Sequence, residues 1–140
     1  DVAGVDFSEI AIAKAQARGE REGVAVDFAV ADLLEYEPEP GAYDLVLLLY
    51  LHLRPSERLH VLGRASAALA SRGTLLLLGH DLLNMTDGVG GPSDPTIHFT
   101  PDQIAGELPG LEIEKAERVY RDVRGESRPA IDALVRARRP

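Results

Sequence analysis

Short apolar runs alternate with polar, helix-forming stretches along the first 80 residues of the chain. Each run is rich in Val or Leu and is bounded by charged or turn-forming residues, which is the pattern of a buried strand. The run at 44–49 shows no alternation of apolar and polar positions, so we expect a strand covered on both faces. The four predicted strands are 2–6, 25–30, 44–49 and 74–79.

Capping residues mark the helices between and after these strands. Ser8 predicts a helix over 9–18, and Ser56 predicts the start of a second helix. Thr100 and Gln103 have the spacing of a capping box, which predicts a third. Strands that alternate with helices indicate an α/β fold: a Rossmann-like, doubly wound and mostly parallel sheet with helices on its faces.

The last two predicted strands, 111–120 and 130–137, differ from the others in their connection. Only "RDVRGESRPA" joins them, with Gly and Pro inside it. A parallel pairing needs a crossover of about a dozen residues or more, usually a helix. The sequence therefore predicts an antiparallel hairpin at the C-terminal end of the sheet.

Composition excludes several classes of function. The net charge of −8 argues against a broad nucleic-acid surface, which needs a face of Lys and Arg. The chain has no cysteine, so it forms no disulfide and no zinc–thiolate site. No apolar run approaches the roughly 20 residues of a membrane span. We expect a single domain over residues 1–140, located in the cytoplasm, and leave its oligomeric state open.

Polar and aromatic residues follow each of the four parallel strands, where ligands bind in open α/β sheets. The carboxylate of Asp6 could accept hydrogen bonds from ribose hydroxyls, or it could be an acid favoured by a helix start. Asp32 could cap the following turn or accept a bond from an adenine amino group. Two acids that leave neighbouring strands at the same end favour a nucleoside site.

Four motifs carry a resemblance to a known family. "GVDFS", "VADLL", "YDLVLLLYLHL" and "GTLLLLGHD", in this order and spacing, resemble the class I S-adenosylmethionine-dependent methyltransferases. The chain is most similar to bacterial small-molecule enzymes of the thiopurine and tellurite type, over nearly its whole length. The resemblance implies S-adenosylmethionine as cofactor, a small-molecule methyl acceptor, and a seven-stranded sheet whose last strand inserts antiparallel.

The resemblance also implies roles for individual residues. Asp6 would bind the ribose, and the Phe7 ring would pack on the adenine. Asp32 would take the adenine amino group, with the Leu33 backbone beside it. The remaining roles fall at the third strand. The Leu48 and Leu49 backbone would lie near the methionine moiety. The Tyr50 and His52 side chains would face the transferred methyl group.

The chain departs from the family at its beginning. The glycine-rich loop that receives the methionine moiety should precede Asp6 by about 20 residues, as in the related dinucleotide fold. "GVGG" at 88–91 follows the fourth strand and is expected to be a turn or part of a lid over 82–99. We therefore expect an N-terminally truncated domain that lacks its first, central strand. Such a chain should bind the cofactor weakly, lack activity and tend to associate.

The expected chemistry is an in-line displacement that needs alignment and no metal. A general base is required only if the acceptor must lose a proton, and His52 and His80 are candidates, while His98 could line an acceptor pocket. The four histidines lack the spacing of metal ligands, so no metal site is predicted. Two alternatives stay open: a nicotinamide-dependent oxidoreductase, which the hairpin disfavours, and a degenerate, non-catalytic interaction domain.

Overall fold

A computed structural model describes residues 1–140 of the chain. The chain divides into two compact units, Asp1–Glu37 and Pro38–Pro140. Strands and helices occur in both units, and the strands form one two-stranded and one four-stranded sheet. The α/β class that the sequence pattern predicts is confirmed. None of the helices is both long and apolar enough to cross a membrane.

The first unit is a β–α–β element. Strands β1 (Ala3–Asp6) and β2 (Asp27–Val30) pair in parallel, and helix α1 (Glu9–Glu22) connects them. Ser8 caps α1 as predicted, because its Oγ accepts a hydrogen bond of 3.2 Å from the Ala11 N–H. The helix is longer than predicted and ends at Gly23, whose φ of 68° is left-handed and suits glycine.

The second unit contains the larger sheet and its helices. Its elements are β3 (Tyr43–Leu49), α2 (Pro55–Ala68), β4 (Leu69–His80), α3 (Asn84–Asp87), α4 (Pro101–Gly106), β5 (Glu112–Arg121) and β6 (Ala130–Arg138). The strand order is β3-β4-β6-β5, in which β6 runs antiparallel to both of its neighbours. The predicted antiparallel hairpin, with the last strand inserted into the sheet, is confirmed.

The unbroken apolar run of β3 predicted a strand covered on both faces, and this prediction is wrong. The side chains of Leu45, Leu47 and Leu49 are 54%, 49% and 54% exposed, while Val46 and Leu48 pack on the core. Side chains alternate between the two faces of a strand, so Val46 and Leu48 share the face on the core, while the face that carries Leu45, Leu47 and Leu49 is left open. Strand β3 also lies at the edge of its sheet, where it pairs only with β4. An apolar run therefore overstated burial on the second face.

Two helix starts differ in how well the sequence predicted them. Helix α2 begins at Pro55 and Arg54 is its N-cap, so Ser56 lies inside the first turn and is not the cap. The Glu57 carboxylate accepts a 3.0 Å bond from the Arg54 N–H, which satisfies the helix start without a serine. At α4 the capping box is confirmed: the Gln103 N–H donates to Thr100 Oγ1 and the Thr100 N–H donates to Gln103 Oε1.

Phe99 anchors the core at the end of the larger sheet. Its side chain is 1% exposed and packs directly over Gly79 of β4. The Arg58 guanidinium lies 5.5 Å from the Phe99 ring centroid and forms a bidentate ion pair with Glu107. The other buried residues of this core include Leu62, Leu69, Leu75, Ile104, Leu108 and Val135.

The packing of Phe99 on Gly79 predicts opposite effects for two Gly→Ala substitutions. A Cβ at Gly79 would lie 2.6 Å from Phe99 Cζ, so Gly79→Ala should lower the free energy of unfolding by about 1–3 kcal/mol. Gly63, in the interior of α2, has no atom near its Cβ position, so Gly63→Ala should raise it by about 0.5–1 kcal/mol. Urea denaturation measures both. Equal stability of the two variants would contradict this packing.

Candidate functional site

Two carboxylates stand at the same end of the small sheet in the first unit. Asp6 is the last residue of β1, and Asp32 follows β2 by two residues. Asp6 Oδ1 accepts a 2.8 Å bond from the Ser8 N–H, and Asp32 Oδ1 accepts a 2.9 Å bond from the Leu34 N–H. In each case one oxygen fixes the carboxylate and Oδ2 makes no hydrogen bond within the protein. We call Asp6 and Asp32 the carboxylate pair.

An exposed aromatic ring accompanies the carboxylate pair. Phe7, directly after Asp6, is 79% exposed, which is unusual for a large apolar side chain. Leu33 lies in the turn that begins at Asp32, and the Tyr36 N–H closes that turn on the Asp32 carbonyl. Two anchored carboxylate acceptors with a bare ring suit the ribose hydroxyls and the base of S-adenosylmethionine, so the residues present fit this cofactor.

The second unit places the other predicted site residues at the carboxyl end of β3. Leu48 and Leu49 pair with Leu77 and Leu78 of β4, and their other side is the edge of the sheet. Tyr50 follows directly with a φ of 53°, a left-handed conformation that is rare for a bulky residue. Such strain persists only where surrounding contacts hold it, and it concentrates at functional sites.

Asp132 supplies the contacts that hold Tyr50. The Tyr50 hydroxyl donates to Asp132 Oδ2 over 2.9 Å, and Arg121 Nε donates to both oxygens, over 3.1 Å to the hydroxyl and 3.0 Å to the carboxylate. Burial, together with the Asp132 carboxylate, raises the pKa of Tyr50. The phenol therefore stays protonated near neutral pH and acts as a fixed hydrogen-bonding group, not as a base.

Three histidines gather beside Tyr50, and we call His52, His80 and His98 the histidine cluster. The ring centroid of His52 lies 5.3 Å from that of His80 and 5.9 Å from that of His98. The Tyr50 ring is 5.3 Å from His80. Neither these rings nor any other group of His, Asp and Glu side chains forms a metal-binding arrangement.

Each histidine has a different environment. His52 Nε2 accepts a 3.3 Å bond from the His80 N–H, and its ring also hydrogen-bonds to the Tyr50 backbone. His80 Nδ1 lies 3.0 Å from Asp132 Oδ1, a close contact without hydrogen-bond alignment. Burial lowers the pKa of His52 and His80, and for His80 it does so against the opposing effect of the Asp132 carboxylate.

The sequence interpretation did not single out Asp132 or Arg121. Both lie on the C-terminal hairpin, whose short connection predicts the pairing of its strands but no site residue. One signal was present: Asp132 is an acid within the otherwise apolar run "AIDALV" of β6. A charged residue in a buried strand is rare unless it is paired, so it marks a site that needs partners.

The lowered pKa values predict a loss of stability in acid. Unfolded histidine binds a proton at about pH 6.5, whereas His52 and His80 do so at lower pH in the folded protein, so protons favour unfolding. This penalty is absent above about pH 6.5 and grows as the pH falls below it. Urea denaturation across this range should show a smaller acid loss in His52→Gln than in wild type. The exposed His60→Gln is the control, and an equal loss in all three proteins would contradict the prediction.

Comparisons with known proteins identify the family. The sequence profile of the methyltransferase domain family matches residues 1–73, slightly more than half of the chain. The chain matches no curated protein sequence.

Solved structures share the fold at low sequence identity. TehB from Haemophilus influenzae is 16% identical to this chain and matches it with a TM-score of 0.77. An S-adenosylmethionine-dependent methyltransferase from Methanosarcina mazei is 15% identical and matches with a TM-score of 0.76. The N-methyltransferase NodS from Bradyrhizobium japonicum WM9, in complex with S-adenosyl-L-homocysteine, is 22% identical to this chain and matches it with a TM-score of 0.70. At least 99% of this chain is covered in each case, and it spans 50%, 81% and 66% of those three chains.

The profile match includes "GVDFS" and "VADLL" and extends through β3 and α2 to residue 73. The structural matches extend the likeness to the C-terminal hairpin. The Methanosarcina mazei structure is described as dependent on S-adenosylmethionine, the cofactor that the sequence resemblance implies for this chain. The chain belongs to the methyltransferase domain family.

Proposed function

We propose that the protein transfers a methyl group from S-adenosylmethionine to a small-molecule acceptor. In this proposal the carboxylate pair, Asp6 and Asp32, holds the nucleoside in the first unit, with the Phe7 ring against the adenine and the Leu33 backbone beside it. S-adenosylmethionine supplies an activated methyl group on a sulfonium. The protein itself supplies alignment, which can lower a barrier by roughly 7–11 kcal/mol.

The observation that carries the proposal is the state of the Asp6 carboxylate. Its Oδ1 is fixed by the Ser8 N–H, while Oδ2 has no partner within the protein. A carboxylate that is oriented in this way is ready to accept hydrogen bonds from ribose hydroxyls, and charge-assisted bonds are roughly twice as strong as neutral ones. The neighbouring Phe7 ring is bare, which suits packing on a base.

We propose further roles at the end of β3 in the second unit. The Leu48 and Leu49 backbone would contact the methionine moiety, and Tyr50 and His52 would face the methyl group that it carries. Aromatic rings and titratable side chains together at the end of β3 favour a small, partly apolar acceptor. Residues 82–99 are proposed to close over it. We keep the thiopurine and tellurite-type group as the proposed subfamily, supported by the sequence motifs.

The oxidoreductase alternative finds no support in the hairpin, because β6 pairs antiparallel where that fold continues with parallel strands and crossovers.

Loss of the Asp6 carboxylate should weaken cofactor binding at least tenfold, which is about 1.4 kcal/mol. Isothermal titration calorimetry with S-adenosyl-L-homocysteine measures this for Asp6→Ala. The matched control is Asp27→Ala, because Asp27 lies in the same small sheet but at the opposite end of the strands. We expect wild-type affinity for the control.

An Asp6→Ala protein with unchanged affinity would remove the ribose assignment. A protein that binds the cofactor normally but transfers methyl to no small molecule in a broad acceptor screen would instead support the non-catalytic alternative.

A further inference from the structure

One buried side-chain atom beside Tyr50 has no polar partner within the protein. Five side-chain atoms in the chain make no hydrogen bond, and three of them belong to this neighbourhood: His80 Nδ1, His98 Nε2 and Asp132 Oδ1. His80 Nδ1 and Asp132 Oδ1 face one another over 3.0 Å, so His98 Nε2 is the atom that indicates a missing partner. A bound molecule with hydrogen-bond donors would satisfy such a site.

His98 is held in one tautomer and one place. Its Nδ1 lies 2.9 Å from the Asp94 carbonyl oxygen, which can only accept, so Nδ1 carries the proton and Nε2 has a lone pair. Asp94 is itself fixed, because its Oδ1 accepts from the Thr96 N–H and Thr96 Oγ1. The next residue, Phe99, is bridged to the end of β4 at Asp81, which anchors the backbone beside His98.

The other bases of the neighbourhood are engaged. The Tyr50 hydroxyl is hydrogen-bonded to Asp132 and Arg121. His52 Nε2 accepts from the His80 N–H, and the His52 ring also hydrogen-bonds to the Tyr50 backbone. His80 Nδ1 faces the Asp132 carboxylate. His98 is 5% exposed, and its Nε2 has no protein partner.

We propose that His98 is the general base of the reaction and that the methyl acceptor carries an O–H or N–H nucleophile. This inference rests on the proposed methyl transfer. The acceptor's oxygen or nitrogen forms a bond to the methyl carbon as the methyl–sulfur bond breaks. The sulfur keeps that bonding pair, and the acceptor's proton passes to His98 Nε2. The resulting imidazolium keeps its Nδ1–H bond to the Asp94 carbonyl.

The surroundings of His98 define the acceptor class more closely. His98 Nε2 is an acceptor, so the ligand must donate a hydrogen bond to it. The walls are rings, since the Tyr50, His52 and Phe99 side chains all lie in this neighbourhood. The site therefore favours a small, flat aromatic compound with a phenolic O–H or an aromatic N–H.

A glycine turn lies against the His80 ring. Gly91 lies against the His80 ring, where a Cβ would be 2.8 Å from His80 Cδ2, and its φ of 86° is left-handed. The Gly90 carbonyl accepts a 2.9 Å bond from Asn84 Nδ2. Because His98 Nε2 is out of contact with solvent in this arrangement, an acceptor reaches it only after a neighbouring segment moves.

Phenol and anisole form a matched pair of probes, because anisole is phenol with its donor proton replaced by methyl. We expect the natural protein to bind phenol at least tenfold more tightly than anisole, as measured by NMR titration. On phenol binding, the ¹⁵N signal of His98 Nε2 should shift while that of Nδ1 stays that of a protonated nitrogen. Aniline and N,N-dimethylaniline test the N–H case in the same way.

His98→Phe keeps a ring in the core and should abolish the preference for phenol, whereas His60→Gln, on the exposed face of α2, should retain it. Wild-type protein that binds both probes of each pair equally, or binds none of them, overturns the inference even if the variant does not fold. Calorimetry with S-adenosyl-L-homocysteine on the same samples reports on the proposed function separately. Normal cofactor binding without a preference for phenol or aniline would refute only the role of His98.

Discussion

One buried carboxylate connects the ends of all four strands of the larger sheet. Asp132 is 1% exposed, and a carboxylate at such a position must find partners or cost several kcal/mol. It finds them on every neighbouring strand end: Tyr50 after β3, His80 at the end of β4 and Arg121 at the end of β5. The antiparallel direction of β6 makes this possible, because its amino end meets the carboxyl ends of the other three strands.

The arrangement of Tyr50, His52 and His80 beside β3 follows from this constraint. Asp132 holds Tyr50 in a left-handed conformation that a tyrosine would otherwise leave, and this turns the chain so that His52 stacks near His80. His98 is placed independently of Asp132, by its hydrogen bond to the Asp94 carbonyl. The first unit uses the same device on a smaller scale, since the Ser8 N–H orients Asp6. In both units, backbone or buried partners orient side chains that would otherwise be mobile.

Local signals in the sequence predicted the local structure well. Ser8 and the Thr100–Gln103 capping box act as expected, and the connection after β5 is short enough to dictate a hairpin. The failures arose where tertiary position decides. The apolar run of β3 could not reveal that the strand lies at a sheet edge, and nothing local linked Asp132 to Tyr50, since 82 positions separate them. Site residues at strand ends were therefore predictable, whereas their partners on the hairpin required the strand order.

The most direct test of this account is a crystal structure of the natural protein with S-adenosyl-L-homocysteine. We expect both ribose hydroxyls within hydrogen-bond distance of the Asp6 carboxylate, the adenine ring against Phe7, and its amino group on Asp32. A nucleoside bound elsewhere, with Asp6 Oδ2 left in solvent, would contradict the assignment on which the proposed function depends.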